Sequence, residues 1–440
     1  MSWKNVYKEK LVSVKDAAGM VKSGDKIWLP GATSLPVDIM KEVDARCGQL
    51  HGIKVVSGLM FHPFEFLKSG VKNPIQYYSS FLGPVERAMF KEGNVNLIVT
   101  QFSQLAQVIQ EKHACNLAIF ECSEPDKNGY MSYGPAGSMA NARAKDLAET
   151  IIVQVNKKTP YVYGSNAHIH VTEVDYICEQ SRDLVEVCSV DPDDDESKIA
   201  AFIVDEIEDG STIQLGIGGI SDAIGKFLGG KKDLGIHTEI FTNSMVDLTK
   251  KGVISNANKN IHRGKSVIVT AIGDKQLHQF IDQNDSIEAH AACYVNDPNI
   301  IGQHDNFVSI NSTIAVDLTG QVCSENIGFT QYSGTGGQLD FVRGARNSKG
   351  GKSFIALKST AMTNHGMVSK ISCALQPGSV VTVPRTEVHY IVTEYGIVNL
   401  WGEDVQSRVK AMISIAHPDF REKLTSEAVE AGLIFKQKNG

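Results

Sequence analysis

Short apolar runs of strand length recur along the whole chain, at 53–56, 96–100, 117–120, 151–155, 266–270, 354–357, 379–382 and 390–393. Glycine, proline, asparagine or aspartate bounds many of them, as expected at strand ends. Helical periodicity lies between several of these runs. At 198–208 (KIAAFIVDEIE) it puts Ile199, Phe202, Ile203 and Ile207 on one face. Buried strands alternating with helices predict an α/β fold with mainly parallel sheet.

One stretch breaks this pattern. Residues 189–198 read SVDPDDDESK, with four aspartates and one glutamate. Such a run cannot bury itself, so a linker is expected there, dividing the chain into domains at 1–190 and 198–440. A weak internal repeat supports two similar halves. GDKIWLPG from Gly24 resembles GSTIQLG from Gly210, 186 residues on. Each follows an amphipathic helix and leads through a glycine-containing loop to an aspartate at a helix start, Asp38 and Asp222.

Composition narrows the classes. A chain of 440 residues with 42% hydrophobic and 21% charged residues can bury large cores without disulfides or metals. The net charge of −7 argues against nucleic acid as the main partner, because phosphate binding needs clustered lysine and arginine. The first residues carry no apolar core of signal-peptide length, and no run of about 18 apolar residues occurs. A cytoplasmic protein without membrane spans is expected. The eight cysteines are scattered and form no C-x-x-C pair, the pattern of free thiols in a reducing compartment.

The most informative window is 211–247. A strand at 212–215 runs into Gly216-Ile217-Gly218-Gly219, a helix follows at about 221–228, and a second strand from Gly235 ends near Glu239. Glycines let a ligand approach the backbone, and a helix start offers free N–H groups to an anion. The window also mimics a dinucleotide site, with an acidic residue 21 positions after Gly218, but Ser221 stands where the third glycine would be. Other motifs lead nowhere. Gly264-Lys265-Ser266 and Gly351-Lys352-Ser353 lack the earlier glycine of a phosphate loop and precede strands. No G-x-S-x-G elbow occurs, and His168-x-His170 has no companion ligand at helical spacing.

Longer motifs carry a specific resemblance. They are QLGIGG (214–219), LGIHTE (234–239), SENIG (324–328), YSGTGGQLDFVRGA (332–345), YIVTEYG (390–396) and IAHPDF (415–420), with SEPDKNG (123–129) in the first half. On these the chain resembles family I CoA-transferases of the acetyl-CoA hydrolase/transferase branch, in particular its 4-hydroxybutyrate and butyrate:acetate transferases. The resemblance implies two similar CoA-transferase-type domains, each an open, mainly parallel sheet with flanking helices, the second carrying the catalytic glutamate. It implies that Glu239 is the covalent carrier, attacking an acyl-CoA and holding CoA as a glutamyl thioester between two half-reactions. No cofactor beyond the substrate coenzyme A, and no metal, is implied.

A carboxylate is a weak nucleophile, so such chemistry leans on positioning, worth about 7–11 kcal/mol in well-oriented systems, and on donors for the oxyanion. Gln214, nearby backbone N–H groups and the Gly31-Ala32 loop are candidates for the donors. Gly216, Ile217, Gly218, Gly219 and Ile220, together with Gly336 and Gly337, are expected to approach CoA, and Lys370 or Arg385 to meet its phosphates. His237, two residues before Glu239, would share its face on a strand and tune it, or simply pack. The expected partners are acyl-CoA and short-chain carboxylic acids, and the expected assembly is a homodimer or homotetramer. An acyl-CoA hydrolase on the same site, a nicotinamide-dependent oxidoreductase and a non-catalytic CoA-binding regulator are the competing readings. The segment 61–110 fits the family motifs least and is a candidate for substrate specificity.

Overall fold

A computed structural model describes residues 2–68, 70, 72–189 and 191–435. Two open sheets dominate it. The first takes strands β1 (Lys26–Trp28), β2 (Ile53–Ser57), β3 (Ile75–Ser79), β4 (Val95–Leu97), β5 (Leu117–Cys122), β6 (Thr150–Val155) and β7 (Tyr176–Glu179). The second takes β8 (Thr212–Leu215), β9 (Gly235–Phe241), β10 (Ser266–Ala271), β11 (Ile287–Ala289), β12 (Phe307–Ser312), β13 (Lys352–Ala356), β14 (Tyr390–Thr393) and β15 (Gly396–Asn399).

Strand order runs β4-β3-β2-β1-β5-β6-β7 in the first sheet and β11-β10-β9-β8-β12-β13-β14-β15 in the second. The two orders coincide strand for strand until β15, which closes the second sheet as an antiparallel edge. The repeat noted at Gly24 and Gly210 therefore marks the central strands β1 and β8. Asp38 and Asp222 both fall in the first turn of the helix that follows, Val37–Ala45 and Gly219–Phe227.

Alternate residues of the first sheet feed two separate cores. Ile27, Val55 and Ile119 face one layer, while Trp28, Val56 and Phe120 face the other. Both faces are covered, which is why these strands read as unbroken apolar runs rather than as alternation.

Two expectations are corrected. The acidic run 189–198 is a linker only in part, and its Val190 lies outside the described residues. Asp193 caps the helix Asp194–Asp205 by accepting from the Glu196 N–H, and Glu196 reaches back to the Asp193 N–H at 3.0 Å. Acidic residues are favoured at that end by the helix dipole and the free N–H groups. The run 379–382 forms no strand; its Thr382 N–H donates to Val322 O (2.8 Å) beside an isolated bridge at Val383. No helix among the described residues is long and apolar enough to cross a membrane.

Candidate active site

In open α/β sheets, ligands bind outside the carboxyl ends of the strands, where the strand order reverses. Both sheets reverse there, at β1/β5 and at β8/β12, and their carboxyl ends face a shared cavity. Ala32, Leu59, Phe81 and Thr100 follow β1 to β4 and form one wall. Gln214, Glu239, Thr270 and Asn311, at the ends of β8, β9, β10 and β12, form the opposite wall. The loop 333–337 closes the site from the side.

Glu239 is the only residue of β9 that is not buried. Its carboxylate meets the cavity, and Asn296 Nδ2 donates to Oε2 at 2.7 Å. Burial pushes the Glu239 carboxyl up to about 7, with a push in the same direction from the nearby Asp340 and an opposing one from the Asn296 bond. Asp340 is itself raised to about 6 by burial, against the bonds it accepts from Ser103 N (3.2 Å) and Ser103 Oγ (2.9 Å).

Gly337, the N-cap of the helix Gln338–Asn347, lies against Glu239. A Cβ there would overlap both the Glu239 carboxylate and the Asn296 amide. Glycine at this position is thus explained by close packing rather than by backbone torsion, since its φ is −105°.

Residues of the first half clamp the loop 333–337. The Phe102 N–H donates to Gly336 O (3.0 Å), and Arg87 lies 3.9 Å over the Tyr332 ring while donating to Tyr332 O (3.1 Å). Gly334 passes directly over the Ser80–Phe81 backbone.

The wall carrying Phe81 is fixed by a buried carboxylate. Glu86 accepts from Tyr77 Oη (2.5 Å), Ser79 Oγ (2.7 Å), the Gly83 N–H (2.6 Å) and the Met60 N–H (3.0 Å). Glu86→Ala is expected to cost about 3 kcal/mol or more, because several buried donors lose their partner at once. A denaturation midpoint measured beside the wild type checks this; an unchanged midpoint contradicts it.

The other expected site residues divide. Gly216, Ile217, Gly336 and Gly337 line the cavity, whereas Gly218, Gly219, Ile220 and Lys370 do not. Gly219 abuts the Glu196 side chain, which accounts for its missing Cβ, and Gly218 takes φ +108°, a conformation that favours glycine. Lys370 Nζ donates to Thr313 O (3.3 Å), and burial lowers its pKa to about 8. Arg385 is exposed away from the cavity wall.

Gln214 lines the cavity, but its amide is engaged. Oε1 accepts from Ser309 Oγ (2.9 Å) and Asn311 Nδ2 (3.1 Å), and Nε2 donates to Asn311 Oδ1 (3.1 Å). The Ala32 N–H, considered as an oxyanion donor, is instead directed to Leu59 O at 2.9 Å. His237 shares the face of Glu239 without touching it. It is fully buried and donates from Nε2 to Val295 O (2.8 Å), and His304 Nε2 lies 3.3 Å from its Nδ1. Burial holds it neutral, and it secures the backbone next to Asn296.

Asn296, Asp340, Ser103, Arg87 and Phe81 received no role from the sequence. Asp340 stood inside the long motif and could have been noticed. Asn296 sits in YVNDPN, which has no distinctive pattern, and only the fold brings it to Glu239.

The fold agrees with that of similar proteins. The N-terminal domain of the acetyl-CoA hydrolase/transferase family matches residues 1–189, and its C-terminal domain matches residues 273–428. The chain belongs to the acetyl-CoA hydrolase/transferase family. It is 40% identical over 428 residues to the 4-hydroxybutyrate coenzyme A transferase of Clostridium kluyveri, covering 97% of this chain and 99% of that one. It is 36% identical to the butyryl-CoA:acetate CoA-transferase of Anaerostipes caccae, with both chains covered completely. Among solved structures, RipA from Yersinia pestis superposes with a TM-score of 0.93 at 35% identity, covering 99% of this chain and 100% of that one.

Proposed function

We propose that the chain is a CoA-transferase that moves CoA between a short-chain acyl-CoA and a free carboxylate, with Glu239 as the covalent carrier. The observation that carries this reading is the Glu239 carboxylate, the one acidic group of its strand, which opens into a cavity walled by both halves.

The carboxylate attacks the thioester carbonyl, and the C–S bond breaks to release CoA thiolate. The thiolate, still held, attacks the glutamyl carbonyl of the acyl-glutamyl anhydride. The donor acid leaves as a carboxylate, and CoA is joined to Glu239 as a thioester. An acceptor carboxylate then repeats both steps in reverse order. The energy of the thioester is retained through the anhydride, so no ATP is required, and the kinetics are ping-pong. Binding of the nucleotide end of CoA supplies energy for holding the reacting thioester in place.

The acids proposed are acetate, butyrate and 4-hydroxybutyrate. This is supported by the named relatives and by the apolar first-half wall of Ala32, Leu59 and Phe81 facing Glu239. An assembly of two or four copies belongs to the same reading, supported by the exposed apolar side chains of Ile327, Phe329 and Met362.

The test is acceptor dependence. Incubated with butyryl-CoA and labelled acetate, the enzyme is expected to form labelled acetyl-CoA with no net loss of thioester. Release of free CoA at the same rate with and without acetate would instead make it a hydrolase.

The pH dependence follows from the attacking species. The carboxylate form is the nucleophile and its pKa is about 7, so kcat/KM for acyl-CoA is expected to rise with pH and level off above about 7. Asn296 stabilises the charged form, so Asn296→Ala is expected to move the inflection to higher pH and lower the rate at pH 7 about tenfold. A pH–rate profile of both proteins checks this; coincident inflections contradict it.

A further inference from the structure

Three donor side chains converge at the edge of the second sheet, beside β10 and β11. Glu288, on the edge strand β11, and His290, just past its end, lie two positions apart and project to the same side. His262 comes from the loop 256–265 before β10, where it takes φ +50°. His262 Nδ1 lies 2.9 Å from Glu288 Oε2, and His290 Nε2 lies 3.3 Å from the same oxygen. All three donor atoms fall within 4.8 Å of one another. They open onto a separate shallow surface depression shared with Gly164 and Ser165 of the first half.

We propose that His262, Glu288 and His290 form a binding site for a divalent transition-metal ion, with zinc as the best match to the donor set, at the seam between the two halves. Two imidazoles and one carboxylate suit zinc, whereas calcium and magnesium favour all-oxygen shells. Around a tetrahedral zinc ion, with bonds of ~2.0–2.1 Å, ligand atoms lie ~3.3 Å apart. The two donor separations to Glu288 already fall close to that value, and one histidine needs only a modest approach to the other. Three protein ligands leave the fourth position to water from the depression.

The surroundings fit the same use. His262 Nε2 is 2.7 Å from Tyr294 Oη, the kind of outer partner that orients a metal-binding imidazole through its second nitrogen. The bound ion would fasten the loop 256–265 to β11, and β11 is one of the places where the first half docks: the Ala289 N–H donates to Tyr163 O at 2.8 Å, and Gly164 packs on the Ala289 backbone. Tyr294 also lies on the short helix Ala292–Val295 that leads directly to Asn296, the partner of Glu239. These residues come from separate loops and strands, and His262 and Glu288 stand 26 positions apart, so no metal motif is visible in the chain.

The test is equilibrium dialysis of the full chain against zinc chloride, for wild type, Glu288→Gln and His290→Ala. Wild type is expected to retain one zinc per chain that both variants bind at least tenfold more weakly. Its thermal midpoint is expected to rise with zinc while theirs does not. Cobalt substitution should give ligand-field bands without thiolate charge transfer, which separates this site from the exposed Cys293 nearby. The proposal is overturned if wild type retains no zinc. It is equally overturned if the variants retain as much as wild type, or if cobalt shows a thiolate band that Cys293→Ser removes.

Discussion

Glu239→Gln is expected to reduce CoA transfer by about 10⁴-fold or more while leaving the protein folded and, above pH 7, more stable than wild type. The loss follows because an amide cannot form the anhydride or the thioester, and removal of a covalent nucleophile has effects of about this size. The gain in stability follows from burial. The folded-state pKa of Glu239 is about 7 against an ordinary 4.5. Between those values the folded chain binds more protons than the unfolded one, so this group's contribution to stability falls as pH rises from about 4.5 to about 7. Above pH 7 the native protein carries a carboxylate that its surroundings disfavour. A neutral glutamine, still able to accept from Asn296, removes that penalty, worth on the order of 1–3 kcal/mol. Steady-state rates with thermal midpoints at pH 6 and 8 check both halves of the statement. A variant that is inactive but also less stable at pH 8 would point to structural damage rather than to loss of a nucleophile.

Gly337→Ala is expected to lower kcat by about 10²-fold with the fold intact. The added methyl would occupy the space now held by the Glu239 carboxylate and the Asn296 amide. Both are ends of side chains and can move, so the backbone need not shift. The φ of −105° suits alanine, so no torsional strain is added. What is lost is the position of the nucleophile, and a displacement of about 1 Å can cost about 10²-fold when the reaction depends on a near-attack geometry. The carboxylate would also lose its Asn296 bond, so the inflection of the pH–rate profile should move upward with the fall in kcat. A wild-type kcat for Gly337→Ala would show that the nucleophile is not held as described.

The doubled architecture was legible because its two central strands keep a common pattern. GDKIWLPG and GSTIQLG mark β1 and β8, and the identical strand orders follow around them. Fully buried strands such as β5 and β10 announced themselves as apolar runs. Strand β3 did not, since IQYYS places polar atoms on a strand whose Tyr77 hydroxyl and Ser79 hydroxyl are satisfied by Glu86 on the helix that follows. The run 379–382 misled in the opposite direction, being apolar and β-branched yet paired only at its end. In the site, glycine-rich loops stood out because close packing demands glycine, although at Gly219 the close neighbour is Glu196. Residues that set the electrostatics, Asn296 and Asp340, are ordinary in sequence. Their importance arises from long-range contacts that no local pattern encodes. The same holds for His262, Glu288 and His290.

The central claim is that CoA becomes covalently attached to one carboxylate between the half-reactions. The most direct measurement is mass spectrometry of the intact enzyme and its peptides after incubation with butyryl-CoA and no acceptor acid. The expected result is a mass gain of one CoA less one water, located on the peptide containing Glu239, discharged by added acetate and lost on treatment with hydroxylamine. Turnover at the full rate with no adduct, or an adduct on any other residue, would contradict the account.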